Sequence, residues 1–220
     1  MNLIVYGAPL SPFVRKLRLC LLEKGLDYQL EIVTPYGQPD WYRELNPLGR
    51  IPALRDGDLT LADSSVICQY LEERYPERTP LFGGDASQAA KVRWLEKYGD
   101  YELAPLCTFG VFRNRLLKPM LGQPCDENAV QRALHEKLPT HFDYLERTLG
   151  AGEFFLGEQL SQADLAIYSQ LQNMEHGGET LDAQRWPALA AHYLRIQARA
   201  SVQSLLPGEL KVIAKIGAKA

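Results

Sequence analysis

Leu3-Ile4-Val5-Tyr6 is a short run of β-branched and aromatic residues, stopped by Gly7-Ala8-Pro9 and followed at once by Ser11-Pro12. No other stretch constrains the fold as much. The apolar run reads as a buried strand. Serine directly before proline is the chemistry of a helix start. The serine oxygen accepts from free N–H groups of the first turn, and proline fits a position whose N–H would have no partner. Leu17, Leu21 and Leu22 continue at helical spacing, and Gly25 supplies the stop. Tyr28 to Val33 then alternates as a second strand. Two strands joined by a helical crossover are expected to lie parallel.

A proline-bearing loop, Thr34 to Asp40, leads to a short helical turn at Trp41 to Leu45. Pro52-Ala53-Leu54-Arg55 and Asp58-Leu59-Thr60-Leu61 flank Asp56-Gly57, a strong short-range hairpin signal. Asp63-Ser64-Ser65 then caps a helix carrying Val66, Ile67, Tyr70 and Leu71. The order is βαβ, an excursion, then ββα. This predicts an α/β N-terminal thioredoxin-like domain, a small mixed sheet with helices on both faces, over residues 1–77. A linker rich in proline and glycine follows at 78–86, and residues 87–220 read as an all-α bundle. Its expected helices run from Ser87 to about Leu117, Asp126 to Leu149, Ser161 to about Met174, and Pro187 to Ala198. Ser161-Gln162-Ala163-Asp164 has capping-box spacing, with Asp in place of Glu or Gln.

The chain has 220 residues, 46% of them hydrophobic and 23% charged, as in ordinary globular proteins. Its formal net charge is -3, with neither half basic enough to attract nucleic acid. Cys20, Cys68, Cys107 and Cys125 form no C-x-x-C pair, so no zinc ribbon or dithiol motif is expected. Cys20 and Cys68 lie in apolar helical patterns and read as small core residues. The four histidines are scattered, which leaves no metal expected. No apolar run reaches the roughly 18–20 residues that span a bilayer. The start lacks a basic n-region, so the expectation is a cytoplasmic protein that binds neither membrane nor nucleic acid.

Three segments carry chemistry: Tyr6 to Arg15, Asn46 to Leu54, and Leu61 to Leu71. In the expected layout all three meet at one edge of the sheet. Ser11 stands at a helix N-terminus, which favours an anion or thiolate. Ile51-Pro52 is an X-Pro bond entering a strand; in the cis form it would turn the Ile51 backbone outward to pair with an extended peptide. The backbone N–H groups and hydroxyl of Ser64 suit a carboxylate, and the Asp63 side chain suits an ammonium. Each residue also has a plain structural reading. Ser11 and the Asp63-Ser64 pair can be caps only, Tyr6 a core aromatic, and Arg50 a solvated loop charge.

The chain resembles the cytosolic glutathione S-transferase family over essentially its full length. VYGAPLSPFVRKLRLCLLEKG resembles the first strand and helix of the serine-type branch. NPLGRIPAL resembles the loop before the family's cis-proline, LADSSVICQYL its acidic-serine helix start, and FLGEQLSQADLAIYSQL its helical-domain capping box. The resemblance implies an N-terminal glutathione site, a helical domain supplying much of the electrophile pocket, and a homodimer. It implies that Ser11 donates to the glutathione sulfur. Ile51 would pair with the cysteinyl part, Pro52 would be the cis-proline, and Asp63 and Ser64 would hold the γ-glutamyl end. Arg50 stands where relatives place a polar contact. Tyr6 lies close to where the tyrosine-type branch carries its donor and is the rival to Ser11. Glutathione would be a co-substrate, with no other cofactor. Phe109, Phe112 and Tyr168 are candidates for an apolar second pocket. Two other functions fit the same fold: a glutathione-dependent disulfide or peroxide reductase, and a non-enzymatic binding module.

Overall fold

The computed structural model describes residues 3–217. Strands β1 (Leu3–Gly7), β2 (Tyr28–Ile32), β3 (Ala53–Asp56) and β4 (Leu59–Ala62) form one sheet in the order β2-β1-β3-β4. β1 and β2 are parallel, as the crossover requires, and β3 is antiparallel to both β1 and β4. The β3–β4 hairpin closes through Gly57 at φ 60°, where only glycine turns without strain.

The crossover helix α1 (Pro12–Glu23) starts as its sequence predicts: Ser11 is the N-cap and Pro12 the first helical residue. Alternation along β1 divides the domain core. Leu3 and Val5 pack with Val14, Leu17 and Cys20 of α1, whereas Ile4 and Tyr6 pack with Val33, Tyr42 and Ala53 on the other face. Tyr42 belongs to the short helix α2 (Asp40–Leu45). Helix α3 (Ser64–Arg74) follows β4 and buries Ile67, Cys68 and Leu71 in the α1 core. Gly7 lets β1 approach α1 closely, since a Cβ there would run into the Val14 side chain.

The second unit is helical. Helix α4 (Ala86–Tyr98) continues into a wider stretch, Gly99–Leu117, wound with hydrogen bonds five residues apart, as from Lys118 N–H to the Arg113 carbonyl. It ends in the short turn α5 (Lys118–Met120). Helix α6 (Glu127–Arg132) passes through a wide turn, Ala133–Lys137, into α7 (Leu138–Leu149). Helix α8 (Gln162–His176) is buried on nearly every side and begins with the expected capping box: Asp164 Oδ2 accepts from Ser161 N–H at 2.7 Å and from its hydroxyl at 2.6 Å. Helix α9 (Pro187–Gln197) packs beside it.

A last helix, α10 (Ala200–Gly217), extends beyond the four that the sequence predicts. Pro207-Gly208 in its middle reads as a breaker, since proline removes a backbone donor and glycine is a poor helix former. Packing overrides that local preference: Val202, Leu205, Glu209 and Ile216 are all buried, at spacings of three, four and seven residues along one face.

This arrangement leaves no residue of α1 fully exposed. Besides its sheet-facing residues, Arg15, Lys16 and Leu19 are buried, because α8, α10 and α4 with its continuation cover what an isolated domain would expose.

Candidate active site

The sheet register brings the three segments together. Tyr6 pairs with Ala53, and Ala53 with Ala62, forming one row across β1, β3 and β4. Just beyond that row lie the β1–α1 loop ending at Ser11, the Ile51-Pro52 bond, and Asp63-Ser64. Two strand spacings separate β1 from β4, about 10 Å. That matches the length of three extended residues, also about 10 Å.

At the β1 end, the Ser11 N–H donates to the Ala8 carbonyl at 3.1 Å, closing a turn. Its Oγ accepts from Val14 N–H at 3.4 Å, a long cap bond that leaves the hydroxyl hydrogen available. The first turn of α1 contains no acidic residue, so nothing offsets its positive end toward a bound anion. Tyr6 belongs to the other face of the sheet. It is 2% exposed, with its ring edge-on to Trp41 and Tyr42 at 5.6 and 6.4 Å. Its pKa is raised by burial and by the Glu31 carboxylate, with Arg55 opposing, so the phenol holds its proton.

At the centre, the Ile51-Pro52 bond is cis. Among the described residues no hydrogen bond is made to the Ile51 main chain. Arg50 is exposed, and the part of it that the fold grips is its carbonyl. That oxygen accepts from the Tyr42 hydroxyl and from Asn46 Nδ2, each at 2.7 Å. The Tyr42 pKa is pushed up to about 12 by burial, with an opposing contribution from Asn46. Tyr42 and Asn46, which the sequence does not single out, therefore fix the entry to the cis bond. Their only sequence signal is an Asn before Pro47 and an aromatic on a very short helix.

At the β4 end, Asp63 caps α3, its Oδ1 accepting from Ser65 N–H at 2.9 Å and Val66 N–H at 3.3 Å. Among the described residues it is the single non-glycine at positive φ, 73°. Such a backbone costs roughly 1–3 kcal/mol and persists where surrounding structure imposes it. Beneath it, Ser65 Oγ donates to Asp100 Oδ2 at 3.1 Å and accepts from Lys16 Nζ at 3.1 Å. Lys16 also meets Asp100 at 2.6 Å and Glu96 at 3.0 Å. Burial alone would lower the Lys16 pKa, but the two carboxylates outweigh it and raise it, so the ammonium stays charged. The Arg15-Lys16 pair gives no hint in sequence that both side chains are buried, because their partners lie on distant helices.

Of the three aromatics expected in a second pocket, two are core residues. Phe112 packs with Leu10, next to Ser11, and with Ile216 of α10; Leu116, Leu117, Val212 and Ile213 pack around this cluster. Tyr168 is likewise a core residue, stacked on Tyr193 at 5.2 Å. Phe109 is half exposed. The cluster around Phe112 is mostly aliphatic, and α10 supplies a large part of it. Among the described residues no group of three or more His, Cys, Asp and Glu side chains is placed to hold a metal ion.

Comparison with known proteins agrees with this fold. The family model for the glutathione S-transferase N-terminal domain matches residues 5–79, and that for the C-terminal domain matches residues 112–207. Glutathione S-transferase 3 of Zea mays is 36% identical over 165 residues, covering 73% of this chain and 72% of the relative. Glutathione S-transferase theta-3 of Mus musculus is 28% identical over 219 residues, covering 98% and 90%. A solved glutathione S-transferase from Rhodospirillum rubrum F11 superposes with a TM-score of 0.84 at 31% identity, covering 93% of this chain and 91% of that one. A mixed four-stranded sheet followed by a helical bundle, matched in turn by the N-terminal and the C-terminal domain model, makes this chain a glutathione transferase, a member of the glutathione S-transferase family.

Proposed function

We propose that the protein joins the sulfur of glutathione to small apolar electrophiles, with Ser11 as the hydroxyl that stabilises the thiolate. One observation carries this reading: the Ser11 oxygen already accepts from Val14 N–H, so its hydrogen is free to donate at the positive end of α1.

The energies suffice. A free thiol has a pKa of about 8.5 and is only a few per cent ionised at neutral pH. Lowering it by about two units takes roughly 2.7 kcal/mol of preference for the thiolate. A hydrogen bond to a charged acceptor supplies about 1.5–3 kcal/mol, and a helix N-terminus adds about 0.3–1 kcal/mol. The cysteinyl backbone of glutathione pairs with Ile51 beside Pro52. Its γ-glutamyl carboxylate takes the N–H groups and hydroxyl at Ser64, its ammonium the Asp63 carboxylate, and Arg50 adds a polar contact. The electrophile lies against the partly exposed Leu116, Leu117, Val212 and Ile213 that surround the Leu10–Phe112 cluster, held beside the sulfur so that attack is effectively intramolecular.

The same proposal includes a homodimer in the cytoplasm. Val66, Trp94 and Tyr101 are exposed apolar side chains that a second copy would cover. The four cysteines are free, as a reducing compartment keeps them. The decisive measurement is Ser11→Ala. The expected result is a roughly 10–100-fold fall in kcat/KM toward an aryl halide, with glutathione still bound. Full activity in that variant would remove Ser11 from the chemistry.

A further inference from the structure

We propose that Asn173 is the positioning residue for the Ser11 hydroxyl, acting through the Leu10 carbonyl. The inference rests on the reading of Ser11 as thiolate donor. Asn173 lies on α8, in the helical domain, and is fully buried. Its Nδ2 donates to the Leu10 carbonyl at 3.3 Å and to Thr108 Oγ1 at 3.2 Å. Its Oδ1 accepts from Arg15 Nη1 at 2.8 Å.

The chemistry of the partners fixes which way this amide points. A guanidinium has donors only, so the oxygen of Asn173 must face Arg15 and the nitrogen must face Leu10. Arg15 is itself immobile: it donates to both oxygens of Glu209, at 2.8 and 2.6 Å, and to the Ser169 carbonyl at 2.8 Å. His176 holds Glu209 from the other side at 2.9 Å. Asn173 is the last link of a buried chain whose other members hold it in one orientation.

The Leu10 carbonyl and the Ser11 N–H belong to one planar peptide group. Asn173 holds the carbonyl end, and the Ala8 carbonyl holds the N–H end at 3.1 Å. With that plane fixed at both ends, the Ser11 Cα is fixed as well, and the reach of its hydroxyl is left to one side-chain torsion. Losing the Asn173 contact frees the carbonyl end and lets the plane rock, so the hydroxyl spends less time in line with the sulfur. Glutathione binding through Ile51, Asp63 and Ser64 draws on other segments and is untouched.

The test is a double-mutant cycle of Asn173→Ala with Ser11→Ala, read by ultraviolet titration of the thiolate in the enzyme–glutathione complex together with kcat and KM. Asn173→Ala is expected to raise the bound-thiol pKa by about half to one unit and lower kcat several-fold, while KM for glutathione moves less than about twofold. In the Ser11→Ala background it is expected to add nothing, because a residue acting through Ser11 has nothing left to position. Ile196→Val, a core truncation in α9, controls for general destabilisation and is expected to leave the thiol pKa alone. If Asn173→Ala does not accumulate folded, Asn173→Ser is measured instead; its hydroxyl is too short to span to Leu10. A shift in the thiol pKa from Ser11→Ala but none from either Asn173 variant overturns the inference and leaves the Ser11 reading standing. Equal shifts from Asn173→Ala with and without Ser11 also overturn it. No shift from Ser11→Ala overturns both.

Discussion

Arg15 and Glu209 lie 194 residues apart in sequence and meet as a buried two-bond pair, Nε to Oε1 at 2.8 Å and Nη2 to Oε2 at 2.6 Å. Neither is more than 2% exposed. Burial pushes the Glu209 pKa up, but the Arg15 charge and the hydrogen bonds from His176 and Arg15 prevail and hold it at about 2, against an ordinary 4.5. Removing one partner strands the other charge, so Glu209→Ala is expected to lose about 3–5 kcal/mol in urea unfolding. The pH dependence has a definite sign. A carboxylate with a lowered folded pKa contributes stability that is complete above its unfolded value and is lost as pH falls toward its folded one. Stability therefore declines between about pH 4.5 and about pH 2, and Glu209→Gln flattens that part of the curve. An unchanged slope in the variant would assign the acid sensitivity to other carboxylates.

Tyr6→Phe separates the two candidate hydroxyls. The Tyr6 ring packs on the α2 face of the sheet, opposite α1. Turnover is expected to stay within about twofold of the parent, and the roughly 10–100-fold loss to appear only in Ser11→Ala. The reverse pattern in side-by-side kinetics would place this chain with tyrosine-type relatives.

Asp63→Asn keeps the α3 cap and removes the charge. Asparagine is as good an N-cap as aspartate and is one of the few residues that accept positive φ. The expected outcome is an unaltered melting temperature and a KM for glutathione raised about tenfold, with a smaller fall in kcat. Contacts remote from the sulfur act alike in ground and transition states. If KM does not move, Asp63 is a cap and nothing more.

Asp164 is a fully buried carboxylate of the helical domain. Its oxygens take the Ser161 N–H and hydroxyl, the Phe155 N–H at 2.9 Å and His192 Nε2 at 2.8 Å. Asp164→Ala leaves several buried donors unpaired, at about 1–3 kcal/mol each. Expression in inclusion bodies, or a melting temperature lower by well over ten degrees, is the outcome to look for by differential scanning calorimetry.

What could be read from the sequence was local. Ser11-Pro12, Asp56-Gly57 and Ser161 to Asp164 each announce their element through chemistry complete within four residues, and each is found there. The meeting of Ser11, Ile51 and Asp63 was legible because element order alone dictates which strand ends lie together. What was missed depends on distant partners. Arg15 and Lys16 follow a helix cap, where charges are normally solvated, and only α8, α10 and the α4 continuation bury them. Helix α10 was hidden by Pro207-Gly208. Tyr168 had the helical spacing of a pocket residue, but the same spacing serves a helix buried all round, and α8 is one.

Helix α1, packed against the sheet and against the helical unit, makes the two domains interdependent. Detached from the bundle, residues 1–77 would expose an apolar flank and carry Arg15 and Lys16 stripped of the carboxylates that balance them. The N-terminal unit is therefore not an autonomous redox module with a bundle appended. Separating the two units breaks buried ion pairs as well as apolar contacts, since Arg15–Glu209 and Lys16–Asp100 both cross between them.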